Sequence, residues 1–116
     1  MKSMAFLCLL FSPVLAMAGK ADIVDVRVEC SVTCTFNVTV RHDDEGWKHY
    51  ADRWEVLSPE REVLGVRTLY HPHVDEQPFT RSLSGVKIPP GMTQVIIRAR
   101  DSRHGWGGVE KKVNLR

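Results

Sequence analysis

The sequence has no block of like charge, no phosphate-cradling glycine loop and no nucleophile elbow around Ser84. It also has no apolar run of the roughly 20 residues a membrane-spanning helix takes. Without a basic stripe it lacks the electrostatic footprint of a nucleic-acid binder or of a protein held on an anionic membrane. Without the glycine and serine motifs it lacks the local geometry of phosphate-binding loops and serine hydrolases. No serine and histidine stand with an orienting carboxylate at a recognisable spacing, so the chain is not expected to be an enzyme. Helical periodicity is missing too, since no stretch keeps apolar residues at 3.6-residue spacing for three turns.

The longest apolar stretch, Met4 to Leu15, is broken by Ser12 and Pro13 and follows a basic Lys2. Small residues at Ala16 and Ala18 complete the pattern a signal peptidase reads, so residues 1–18 are expected to be a leader cleaved after Ala18. Gly19, Lys20 and Asp22 follow directly, with no stop-transfer pattern, and no membrane insertion is expected after cleavage. Cys8 follows Leu7 and lies near the start, which argues against a lipid anchor. The expected destination is the periplasm.

Residues 19–116 are enough for one domain with one modest core. With Lys2 set aside they carry 15 basic and 14 acidic residues, a formal net charge of +1. Only Cys30 and Cys34 remain there, and in an oxidising compartment an isolated pair most simply forms a disulfide. The same Cys-x3-Cys spacing binds Cu(I) in some assembly factors, but the thioredoxin-like context of those proteins is missing.

Alternation of apolar and polar residues predicts an all-β domain of seven strands. The inward sets are Val24, Val26 and Val28; Phe36, Val38 and Val40; Trp54 and Val56; a strand from Val63 to Tyr70; one from about Thr80 to Ile88; Val95, Ile97 and Ala99; and Val109, Val113 and Leu115. Seven short strands with an inward tryptophan on the third resemble the immunoglobulin-like or fibronectin III-like β-sandwich. The run HPHVDEQPFTRSLSGVKIP, residues 71–89, and the loop from Asp101 to Gly108 resemble a family of small predicted periplasmic bacterial proteins of uncharacterised function. That resemblance implies export and a sandwich, and it transfers no catalytic residue.

Successive loops of a sandwich alternate between its two ends. By that parity the loops 42–51, 71–78 and 101–108 share one end, and they hold all five histidines and two of the three tryptophans. His71-Pro72-His73 places two imidazoles on one side of an extended segment, a geometry able to chelate. His104 or His49 is the expected third ligand, with Asp75 and Glu76 behind the ligands, for copper or zinc. The competing reading is that these histidines bond loop backbone or face water. The acidic loop 42–51 lacks the alternating ligands of a helix-loop-helix calcium site. The expected function is therefore that of an exported binding protein for a transition metal. The alternative is a metal-free interaction module whose Trp47 and Trp106 anchor another periplasmic or envelope protein.

Overall fold

A computed structural model of the chain describes residues 19–115. The proposed leader, residues 1–18, its cleavage site and Cys8 lie outside those residues, apart from Gly19 on the far side of the cut. The described chain forms seven strands: β1 Asp22–Cys30, β2 Cys34–Arg41, β3 Ala51–Leu57, β4 Val63–Thr68, β5 Phe79–Val86, β6 Gln94–Asp101 and β7 Lys111–Asn114. A three-stranded sheet, β1-β2-β5, faces a four-stranded sheet, β4-β3-β6-β7, and every pairing is antiparallel. The fold is a seven-stranded β-sandwich, as the alternation predicts.

The core follows from that alternation. Phe36, Val38 and Val40 of β2 face Trp54 and Val56 of β3 and Val95, Ile97 and Ala99 of β6, all buried. Burying these apolar faces between two sheets is the main favourable term in folding a domain of this size. Several expectations are corrected. In β1 the fully buried residue is Ile23 instead of Val24, because a bulge between Ile23 and Asp25 reverses the alternation there. Val109 is 45% exposed and lies outside β7. Its backbone is engaged instead, its N–H donating to Asp22 Oδ1 at 2.7 Å and its carbonyl accepting from Ile23 N at 2.8 Å. The fourth strand ends at Thr68, short of Tyr70, and the fifth runs from Phe79 to Val86, beginning one residue early and stopping short of Ile88.

Cys30 and Cys34 are disulfide-bonded across the β1–β2 turn, where they also stand opposite each other in the strand register. Among the described residues no helix is long and apolar enough to cross a membrane.

Candidate metal centre

Alternation carried past the last apolar residue of β2 and β6 builds the site. In β2 the inward series Phe36, Val38, Val40 continues to His42; in β6 the series Val95, Ile97, Ala99 continues to Asp101. Both side chains are therefore delivered into the interior at the same end of the sandwich, and both are wholly buried. A bulge between Ala51 and Arg53 turns Ala51 inward at the start of β3, and His49, two residues earlier, is brought in with it. His104 follows Asp101 by three residues in a turn closed by Gly105, whose N–H donates to the Asp101 carbonyl at 3.0 Å.

These side chains meet at one atom. Asp101 Oδ2 lies 2.6 Å from His49 Nε2, 2.9 Å from His104 Nδ1 and 3.3 Å from His42 Nε2. The second oxygen, Oδ1, accepts the backbone N–H of His104 at 3.1 Å. The donor atoms of His42, His49 and Asp101 all fall within 4.8 Å of one another. The rings of His42 and His49, and those of His49 and His104, pack edge to face with centroids 4.7 and 4.8 Å apart.

Each Nε2 that points inward is backed by a carboxylate on the other ring nitrogen. His42 Nδ1 is 2.5 Å from Asp44 Oδ1, and His49 Nδ1 is 3.1 Å from Glu45 Oε1. A carboxylate behind one nitrogen fixes the proton there and leaves the other free to coordinate, the arrangement found around metal-bound histidines. Asp44 is itself anchored: Oδ1 accepts from Ala51 N at 2.9 Å and Oδ2 from His73 N at 2.7 Å. That carboxylate thereby ties the loop after β2 to β3 and to the loop between β4 and β5.

Electrostatics follow the same geometry. Burial disfavours the charged form of His42, but the hydrogen bond and charge of Asp44, the charge of Asp101 and the Gly19 carbonyl outweigh it and hold the imidazole above its ordinary value of 6.5. Burial likewise opposes ionisation of Asp101. Hydrogen bonds from His104 and His49, the His104 backbone N–H and the charge of His42 overcome it and keep the carboxyl below its usual value. Asp44 is also lowered, burial being outweighed by bonds from His42, His73 N and Ala51 N. His42 has acceptors on both ring nitrogens, Asp44 on one side and the Gly19 carbonyl (3.2 Å) with Asp101 on the other. Only a second proton or a cation at Nε2 satisfies that arrangement.

Of the ligands expected from sequence, His49 and His104 come together on Asp101, while His71 and His73 lie outside that contact set. His73 is buried and stacks on Phe79 with centroids 3.9 Å apart; its Nε2 accepts from Arg81 Nη2 at 2.8 Å. A nitrogen whose lone pair takes a guanidinium N–H is not free to coordinate. Among the described residues His73 Nδ1 is buried without a partner. Burial, Arg81 and His71 together push this imidazole below its ordinary value. His71 is exposed, its ring tilted against His73 at 4.6 Å. Asp75 is exposed, and Glu76 reaches Arg81 at 3.4 Å, so among the described residues the carboxylates behind the cluster histidines are Asp44 and Glu45. His42 and Asp101 are the two cluster members that the sequence reading leaves out, although their inward parity is legible. Trp106 lies over the Arg98 guanidinium at 3.8 Å, with Arg53 at 5.4 Å, whereas Trp47 is 68% exposed.

No family model matches the chain, and no solved structure matches it. A curated protein of Halomicrobium mukohataei, named "Putative lipoprotein", is 41% identical over 91 residues, which make up 77% of this chain and 44% of that protein. The chain thus spans less than half the length of the curated relative it matches.

Proposed function

We propose that this is an exported envelope protein of the periplasm, freed of its leader after Ala18, that holds a transition-metal ion at Asp101, His42, His49 and His104. The observation that carries the reading is the convergence of three imidazole nitrogens on a single buried carboxylate oxygen, two of those rings being backed by carboxylates. Unmetallated, the same atoms are held together by protons, so a proton and a metal ion compete for one position. Three nitrogens and one oxygen make a borderline donor set, suited to Zn(II) and Cu(II), with copper favoured by intrinsic affinity. The likeness to a protein named a lipoprotein supports an envelope location.

The role proposed is storage, delivery or sensing, without turnover. Catalytic metal sites keep a position open to substrate. Here the His42 and Asp101 side chains are wholly buried and His49 is 7% exposed, and His104, 37% exposed, is the most open of the four. The three-plus-four strand arrangement supports placing the domain with immunoglobulin-like or fibronectin III-like sandwiches. Calorimetric titration of the exported protein with Cu(II) and with Zn(II) tests the metal reading. Uptake tighter than about 10 μM that is lost in His42→Asn is expected, and no uptake at that level would end it.

A second reading rests on Trp47, which is 68% exposed and packed edge to face against Tyr50 at 5.7 Å. An amphipathic ring so placed suits docking to another envelope protein. Chelator-treated protein that still captures its partner, and fails to once Trp47 is replaced by Ala, would favour this role.

A further inference from the structure

The segment leading into β1 is pinned along the loop that carries His104. Ile23 N donates to Val109 O at 2.8 Å, Val109 N donates to Asp22 Oδ1 at 2.7 Å, and Lys20 Nζ reaches the Trp106 carbonyl at 3.5 Å. The approach is close enough to demand glycine on the loop side: a Cβ on Gly108 would stand 1.9 Å from the Ala21 carbonyl oxygen. Held in this way, the chain delivers Gly19 to the centre. Its carbonyl oxygen lies 3.2 Å from His42 Nε2, and a Cβ built on it would stand 3.0 Å from His104 Cε1. Gly19 therefore meets His42 through its carbonyl oxygen and lies beside His104, where a side chain would crowd the imidazole.

Gly19 is also the residue that becomes the amino terminus if the leader is removed after Ala18. Its backbone nitrogen sits one bond, about 1.46 Å, from the Cα, whose Cβ, were there one, would crowd the His104 ring. While joined to Ala18 that nitrogen is an amide, its lone pair delocalised into the peptide bond and its proton hard to remove. Once freed it is an amine, and amine and carbonyl of the same residue can close a five-membered chelate around a metal ion.

We infer that removal of the leader after Ala18 completes the metal centre by making the α-amino group of Gly19, with its carbonyl oxygen, a ligand beside His42 and His104. The inference rests on the metal reading above and on cleavage at that bond. On binding, the ammonium gives one proton to solvent and the nitrogen lone pair goes to the metal; nothing is oxidised or reduced. Only the exported, processed protein then has the full donor set, so the site matures in the compartment where the metal is met.

The test compares the exported full-length product, its amino terminus verified by mass, with the same domain carrying three extra residues ahead of Gly19, each titrated with Cu(II) and with Zn(II). The extended form is expected to bind at least about 10- to 100-fold more weakly, the range lost when even an outer partner of a ligand is removed. A measurement independent of the extension is the Cu(II) electron paramagnetic resonance spectrum of unmodified protein labelled with 15N-glycine, whose nitrogen superhyperfine pattern is expected to change. Equal affinity in the two forms with an unchanged spectrum would overturn the amine ligand and leave the histidine and aspartate site standing. An exported protein that begins at another residue would overturn the inference alone. Failure of both forms to take up either metal would overturn this inference and the metal reading together.

Discussion

Two groups of histidines lie in the loops beyond the strands, and they differ in what faces their nitrogens. His42, His49 and His104 turn toward the buried Asp101 carboxylate, whereas His73, stacked on Phe79, turns toward the Arg81 guanidinium with His71 beside it. An anion at the focus attracts a proton or a metal ion; a guanidinium repels both. Burial alone separates nothing here, since His42 and His73 are both buried. The sign of the neighbouring charge decides which group is a candidate centre.

The largest expected effect comes from removing the focus. Asp101→Asn should abolish measurable Cu(II) and Zn(II) uptake in calorimetry. It should also lower unfolding free energy in urea by about 3 kcal/mol, because positive and polar groups gathered around a buried anion lose their partner. Retained uptake in that variant would erase the distinction between the two groups.

Next in size is the direct contrast of ligands. His42→Asn should weaken metal binding by about 100-fold or more, while the double variant His71→Ala/His73→Ala should change it by less than about 3-fold. The reverse ranking would move the centre to the second group.

The third expectation is a difference in pH dependence of the metal-free protein. His42 is raised when folded, so its contribution is fully present below its unfolded value near 6.5 and is lost as pH rises through the higher folded value. His73 is lowered when folded, so the unfolded chain binds more protons just below 6.5, and stability falls as pH drops through that range toward the lowered folded value. Asp44 and Asp101, both lowered, contribute above about 3.8 and lose that contribution in stronger acid. Urea midpoints across pH should therefore lose their decline above 6.5 in His42→Asn and their decline just below 6.5 in His73→Ala. Metal affinity should rise with pH as the proton on His42 is displaced.

Smaller still is the effect of the opposite end of the sandwich. Replacing Cys30 and Cys34 together by Ser should cost about 2 kcal/mol, the chain-entropy value for so short a closed loop, and leave metal affinity within about 3-fold. A large loss of affinity would mean that the two ends are coupled through the sheets.

Much of the fold was legible because alternation is a property of one strand at a time. Phe36, Val38 and Val40 need only a two-residue period to be read as inward, and the same period carried on reaches His42; Val95, Ile97 and Ala99 lead in the same way to Asp101. Neither is apolar, so a purely hydrophobic pattern ends before each. Loop position alone makes His49 a candidate ligand, and nothing local shows that the bulge at Ala51 turns it inward. Trp106 reads as a docking anchor until Arg98 is seen beneath its ring.

By itself the chain determined an all-β sandwich of seven strands, the pairing of its two remaining cysteines and the gathering of imidazoles in the loops of one end. Hydrophobic period, residue type and loop parity act over a few residues and need no knowledge of distant neighbours. Tertiary structure alone decided which imidazoles meet a carboxylate and which a guanidinium, and that Gly19 lies against His42 and His104. Those contacts join residues as far apart as Gly19 and His104, and strand register and two bulges set where such residues stand. A shift of one position turns a side chain from core to solvent.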